Sequence, residues 1–133
     1  MTVMNARFVA AFSSVLAHDL DRCALLCLLR AERELRYEEL RRAASEPSPQ
    51  LFNYAIERLV AHALVNRRLV PQGKRFQSRI SPSSRGLTIA KVFEDLVESG
   101  RLPRELPAET RDDIRFVLSG RAAPAAAPAG GSR

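Results

Sequence analysis

The chain has 133 residues, 46% hydrophobic and 27% charged, with a formal net charge of +6 and a pI near 10.3. That length suits one domain with a genuine core, and this balance of apolar and charged residues excludes wholesale disorder. Uncharged stretches such as Cys23 to Leu29 and Leu59 to Asn66 fall far short of the roughly eighteen apolar residues that a membrane span needs, and no secretory-type leader pattern opens the chain, so a cytoplasmic location is expected.

From Ala6 to His18, Phe8, Val9, Phe12, Val15 and Leu16 recur on one side of a helical wheel and predict an amphipathic helix. Asp19 or Asp21 is placed to cap a second helix, from about Arg22 to Glu34. Its Cys23, Leu25, Leu26, Cys27, Leu28 and Leu29 make it apolar around most of its circumference, as a central buried helix is. Cys23 and Cys27 lie one helical turn apart, where a disulfide would break the helix; they are read as small buried hydrophobes rather than as a redox or metal pair. Leu35, Arg36 and Tyr37 are briefly strand-like and lead into a short helix from Tyr37 to Ala44, anchored by Leu40.

Ser45-Glu46-Pro47-Ser48-Pro49 then breaks the chain. Ser48 is a natural cap for the next helix, with Pro49 at its first position, where a missing amide hydrogen does no harm. Between Pro49 and Ala63 the residues Phe52, Ile56, Leu59, Val60 and Ala63 fall on one side. Gln50, Tyr54, Glu57 and Arg58 fall on the other, with Asn53 at the edge. Period-two alternation follows from Val65 to Val70 and again from Arg75 to Ile80, with Pro71-Gln72-Gly73 as the turn, which predicts a β-hairpin. Ser81-Pro82 repeats the cap-then-proline signal before a helix that carries Leu87, Ile89, Val92, Phe93, Leu96 and Val97 and stops at Gly100. A last short helix is expected from Glu109 to Leu118. From Ser119 onward the Ala, Pro, Gly and Arg content predicts a disordered tail. The organisation is therefore a folded unit over residues 1–118 and a tail over 119–133.

The distribution of charge says more than its sum. From Arg58 through Phe93 there is no Asp or Glu, while Arg58, Arg67, Arg68, Lys74, Arg75, Arg79, Arg85 and Lys91 are all basic. Such segregation is the sequence footprint of a surface that meets a polyanion. Of the 21 basic residues only Lys74 and Lys91 are lysine, and the planar fork of arginine suits phosphates and guanine edges.

The order helix, short strand, helix, turn, helix, hairpin, helix resembles the winged helix-turn-helix over roughly residues 20–100. Leu35-Arg36-Tyr37-Glu38-Glu39-Leu40 is similar to the approach to the first helix of the turn motif in HxlR-like and MarR-like regulators. Ile56-Glu57-Arg58-Leu59 with Leu64-Val65-Asn66-Arg67 resembles the passage from their recognition helix into the wing. Ile80 through Leu87 resembles their strand-to-helix junction. Ala63 stands where those families usually carry glycine, and the Trp and early Cys-Pro of the HxlR-like group are missing.

The resemblance implies a mostly α fold with a small β-hairpin wing and flanking helices. The implied function is sequence-specific binding of double-stranded DNA by a transcriptional regulator, with repression as the expected outcome. On this reading Gln50 and Asn53 pair with adenine, Arg58 with guanine and Glu57 with cytosine, and Tyr54 reaches phosphate or a thymine methyl. Arg67, Arg68, Lys74, Arg75 and Arg79 lie on the backbone or in the minor groove. Outer-helix residues Phe8, Phe12, Leu16, Phe93, Leu96, Phe116 and Val117 suggest a homodimer.

The rival readings are a winged-helix module that binds another protein, and a nonspecific architectural DNA binder. His18 and His62 belong to no nucleophile or metal motif, and a Cys23, Cys27 and His62 metal site is the weaker alternative to burial. Asp19 with Asp21, and Asp112 with Asp113, are read as helix-start residues rather than as acid–base pairs. No phosphate-cradling glycine loop is present. Neither catalysis nor a cofactor is expected, and a small-molecule effector is compatible with the pattern without leaving a trace in it.

Overall fold

The computed structural model describes residues 5–120. Of the tail expected from Ser119, residues 121–133 lie outside that range. The elements in order are α1 (Ala6–Ala17), α2 (Asp19–Ala31), β1 (Leu35–Arg36), α3 (Tyr37–Ala43), α4 (Pro49–Ala61), β2 (Val65–Gln72), β3 (Arg75–Pro82), α5 (Ser84–Ser99) and α6 (Ala108–Leu118). Three antiparallel strands form one sheet in the order β1-β3-β2, so the hairpin is extended at its base by the short strand before α3. This is the arrangement of a winged helix-turn-helix, with α3 and α4 as the paired helices and β2-β3 as the wing. No helix among the described residues is long and apolar enough to cross a membrane.

The core is organised around α2, which packs on α1, α3, α4, α5 and β3. Its Ala24, Leu25 and Leu28 are buried, and Cys23, Leu26, Cys27 and Leu29 are half-buried against the same cluster. The helix begins at Asp19 after an N-cap at His18 that offers no side-chain cap, earlier than the expected Arg22. Neither aspartate caps it. Asp19 is exposed and pairs with Arg22, whereas Asp21 is drawn into the core by a partner from α4. Arg22 in turn donates to the carbonyls of Val15 and Leu16 at the end of α1, at 3.1 and 2.8 Å, and lies over the Phe93 ring.

Phe12 stacks on Phe93 with ring centroids 4.9 Å apart, joining α1 to α5. Phe8, Phe12, Phe93 and Val117 are buried within the single chain, so they complete the core of one subunit and are not spare surface for a second. Leu16 stays exposed, and Leu96 and Phe116 are half-buried.

Helix α4 starts as its sequence dictates, with Ser48 Oγ accepting from Leu51 N at 3.2 Å and Pro49 at the first position. Its buried stripe is Phe52, Ala55, Ile56 and Leu59. Val60, expected on that side, is 43% exposed, because it lies at the angular edge of the stripe while Leu59 beside it is buried. The end of α4 closes by two bonds, Ala63 N to Val60 O and Leu64 N to Leu59 O, both 2.9 Å, with Ala63 at φ +57°. This is the left-handed closure that normally takes glycine, and it explains the position of Ala63 in the sequence pattern.

The same corner holds the start of α5. Ser83, not Ser81, is the cap: its Oγ accepts from Gly86 N and donates to Ala63 O, while Ser83 N donates to Leu64 O. Pro82 is the last residue of β3. Gly86 is required here, since a Cβ would sit 2.0 Å from the Leu64 carbonyl oxygen.

The wing is longer than the expected strands. Pro71 lies inside β2 opposite Phe76, and Gln72 pairs with Arg75, so the turn is the two residues Gly73 and Lys74, with Gly73 at φ +63°. A two-residue loop with glycine first twists as a hairpin requires.

Candidate nucleic-acid interface

Helix α4 and the wing face each other across a cleft of about 480 Å³ lined by Arg36, Tyr37, Glu38, Pro49, Asn53, Arg67, Gln77 and Ser78. On the α4 side Gln50, Asn53, Tyr54 and Glu57 are exposed. Gln50 Nε2 donates to the Tyr54 hydroxyl at 3.0 Å, so these two side chains are already aligned along the helix.

Asn53 is held from below. The Tyr37 hydroxyl donates to Asn53 Oδ1 at 2.8 Å, and the Tyr37 ring packs edge-on against Phe52 with centroids 5.0 Å apart. Burial raises the pKa of the phenol, which keeps it a donor. The bond leaves the Asn53 amide nitrogen and a second lone pair on Oδ1 for an external partner. Arg67 from β2 lies over the Tyr37 ring, 5.7 Å from its centroid, and donates to Ser78 Oγ at 2.8 Å. Tyr37 thus links α3, α4 and the wing. Nothing in the sequence marked it, because its role depends on three elements meeting.

Arg58 is paired within the chain. Its Nε and Nη2 donate to the two oxygens of Asp21 at 3.0 and 2.7 Å, and the Asp21 carboxylate is almost wholly enclosed. The side chain that was expected to meet guanine is engaged with the scaffold. With Arg58 so paired, the outward face of α4 carries Gln50, Asn53, Tyr54 and the acidic Glu57 with no free cation among the described residues.

The basic window is likewise partly neutralised by acids that are distant in sequence. Arg68 makes a two-pronged pair with Glu34 at 2.6 and 2.7 Å, which lowers the Glu34 pKa. Lys91 pairs with Glu94 and Asp95. Arg85 donates to the His62 carbonyl. Among the described residues Arg67, Lys74, Arg75 and Arg79 have no carboxylate partner; Lys74 and Arg75 are exposed at the wing tip, and Arg79 is half-buried beside Gln77. Arg42, at the end of α3, is exposed and also lacks one. Of the window from Arg58 to Phe93, the cations on the wing are therefore the ones left without a carboxylate beside the cleft, with Arg42 a further cation on α3.

The register divides the wing into two faces. Arg67, Leu69 and Pro71 share one face with Phe76, Ser78 and Ile80; Arg68, Val70 and Gln72 share the other with Arg75, Gln77 and Arg79. The first face turns toward Tyr37 and α4 at its base.

Cys23 and Cys27 are free thiols, half-buried, and Cys27 Sγ donates to Ala43 O at 3.4 Å. Burial first, then the neighbouring Cys23, pushes the Cys27 pKa up to about 11, the opposite of an activated thiolate. His18 Nδ1 is bonded to Ser14 O at 2.8 Å. Among the described residues Cys23, Cys27 and His62 do not come within reach of one metal ion. The group that does is Glu94, Asp95 and Glu98, an exposed acidic cluster on α5 already served by Lys91.

No protein-family model matches the chain, and no curated protein matches it. Among solved structures, the chain is similar to a cysteine-to-serine mutant of MarR from E. coli, complexed with operator DNA. The TM-score is 0.48 and the identity 22%, covering 89% of this chain and 84% of that one.

Proposed function

We propose that this protein binds double-stranded DNA as a sequence-specific transcriptional regulator in the cytoplasm, with α4 in the major groove and the wing against the adjacent backbone and minor groove. The observation that carries the reading is the division of labour across the cleft. Helix α4 offers neutral and acidic hydrogen-bonding groups, and the wing offers Arg67, Lys74, Arg75 and Arg79 without carboxylate partners. Base edges are read by amides and carboxylates, whereas phosphates are held by cations, so the two surfaces match the two parts of a duplex. Gln50 and Asn53 are the adenine readers on this reading, Glu57 accepts from a cytosine amine, and Tyr54 meets phosphate or a thymine methyl. Arg68, tied to Glu34, contributes through the position of the wing.

We further propose that the protein acts as a homodimer on two-fold sites and that its regulatory outcome is repression. Support for a second subunit comes from the apolar side chains left exposed on the outer helices, Leu16, Val97 and Leu118. The experiment that tests the central reading measures affinity for the DNA upstream of its own coding sequence and for random duplex, at two salt concentrations. Preference for the former, with a salt slope that flattens by up to about two units when Lys74 and Arg75 are both changed to Ala, is the expected result. Equal affinity for both duplexes would favour a nonspecific architectural role, and no binding at low salt would overturn the proposal.

A further inference from the structure

The wing tip carries exposed apolar side chains as well as cations. On the face that continues outward from Ile80 and Arg67, the register places Leu69, Pro71 and Phe76 together, with Pro71 directly opposite Phe76. Leu69 is 64% and Phe76 67% exposed, and no other element covers them. Single exposed apolar residues are ordinary, but three on one face of a two-stranded tip, projecting beyond the core, form a continuous apolar end.

We propose that Phe76, with Leu69 and Pro71, is a wedge that enters the minor groove of duplex DNA, partly unstacks a base step and bends the duplex. This rests on the DNA-binding reading above. The choice of occupant follows from charge. The apolar end is flanked by Lys74 in the turn, Arg75 on the reverse face and Arg67 further down the same face, none of which has a carboxylate partner among the described residues. An apolar surface ringed by cations fits a target that is anionic on its rim and apolar within. A duplex offers this arrangement: phosphates line each side of the groove, and the faces of stacked bases lie between them. Phe, Leu and Pro are the side chain types that serve as such wedges, because they present rigid apolar volume without a polar group to strand between bases. The tip is narrow, closed by Gly73 and Lys74 alone, so side chains of the turn region lead the ribbon into the groove.

The test uses the full chain and a duplex bound in the affinity experiment, labelled at both ends for energy transfer and carrying 2-aminopurine at successive steps. Wild type is expected to shorten the end-to-end distance and to brighten 2-aminopurine at one step. Phe76→Ser is expected to abolish both signals and weaken binding by roughly ten-fold while the salt slope stays unchanged, because the cations remain. Leu69→Ser should give a smaller loss, and Phe76→Leu should restore part of the bend. The exposed position makes these variants safe for folding, which urea melts verify. A bound Phe76→Ser variant that bends and unstacks like wild type overturns the wedge, as does a wild type that binds without bending. Loss of self-association in Phe76→Ser with an unaltered bend would overturn it too and assign the face to a protein contact. Failure of wild type to bind any duplex would instead overturn the DNA-binding reading, and the wedge with it.

Discussion

Arg58 on α4 and Asp21 on α2 form a two-pronged ion pair at 2.7 and 3.0 Å that fastens the outward helix of the turn motif to the central helix of the core. The two ends of this pair are unequally placed: the Arg58 side chain is 35% exposed, the Asp21 side chain 1%. Arg58→Ala would leave a buried carboxylate without a counter-charge, and a loss of about 3–5 kcal/mol of folding stability is expected in urea unfolding. DNA affinity should fall for all sequences together. Asp21→Asn should be milder, because the released guanidinium can turn to water. It should also tighten binding to random duplex by adding a free cation beside α4, and an unchanged or weaker affinity in a folded Asp21→Asn variant would show that Arg58 does not reach the interface even when released.

Tyr37 and Asn53 give a more local effect. Removing the hydroxyl in Tyr37→Phe keeps the ring against Phe52 and takes away the bond that orients the amide, at a stability cost of about 1 kcal/mol. Asn53→Ala is expected to reduce discrimination at one base pair by roughly 1–3 kcal/mol. Tyr37→Phe should reduce discrimination at that same base pair by a smaller amount. Competition assays with single-base operator variants distinguish this from a general loss, which would mean that Tyr37 acts only through folding.

The corner between α4, β2 and α5 predicts opposite outcomes for two small substitutions. Gly86→Ala forces a methyl group to 2.0 Å from the Leu64 carbonyl oxygen, and a rigid backbone atom is the obstacle, so a loss of about 3 kcal/mol or more is expected. Ala63→Gly relieves an L-residue held at φ +57°. The left-handed conformation costs an L-residue about 1–2 kcal/mol, part of which the greater freedom of unfolded glycine cancels, leaving a gain of roughly 0.5–1 kcal/mol. A melting temperature that falls for Ala63→Gly would show that the closure of α4 is not strained.

Among the groups with shifted pKa values, Glu39 and Cys27 move furthest. Glu39 is lowered from 4.5 to about 2, first by the Arg36 backbone N–H and then by the Arg33 and Arg36 side chains. A depressed carboxylate contributes stability that is whole above its unfolded pKa and is lost as pH falls from 4.5 toward 2. Cys27, raised from 9.0 to about 11, contributes stability that is whole below 9.0 and is lost as pH rises toward 11. Denaturation midpoints measured across pH should therefore decline at both ends. Glu39→Gln should flatten the acid limb and Cys27→Ala the alkaline one, and a limb that keeps its slope in its variant would remove that group as the cause.

Local chemistry alone determined much of this protein. Ser48-Pro49 announced the start of α4 and the alternation from Val65 announced the hairpin, because each is a matter of backbone preference within a few residues. The buried stripe Phe52, Ile56 and Leu59 was legible for the same reason. The left-handed closure was not announced: Ala63, expected on the packed side of the helix, is exposed beyond its end at φ +57°. Which cations stay free was not legible either. The run from Arg58 to Phe93 contains no acid, yet Asp21 and Glu34, 37 and 34 residues away from Arg58 and Arg68, take two of its arginines. Charge spacing along a chain does not report which carboxylates the fold carries back to it. The change of the turn from Pro71-Gln72-Gly73 to Gly73-Lys74 likewise depended on pairing with the opposite strand. That register decides which side of the wing holds Phe76 and which holds Arg75. Local preference chooses the elements; only their packing decides which polar groups are spent inside the molecule and which remain at its surface.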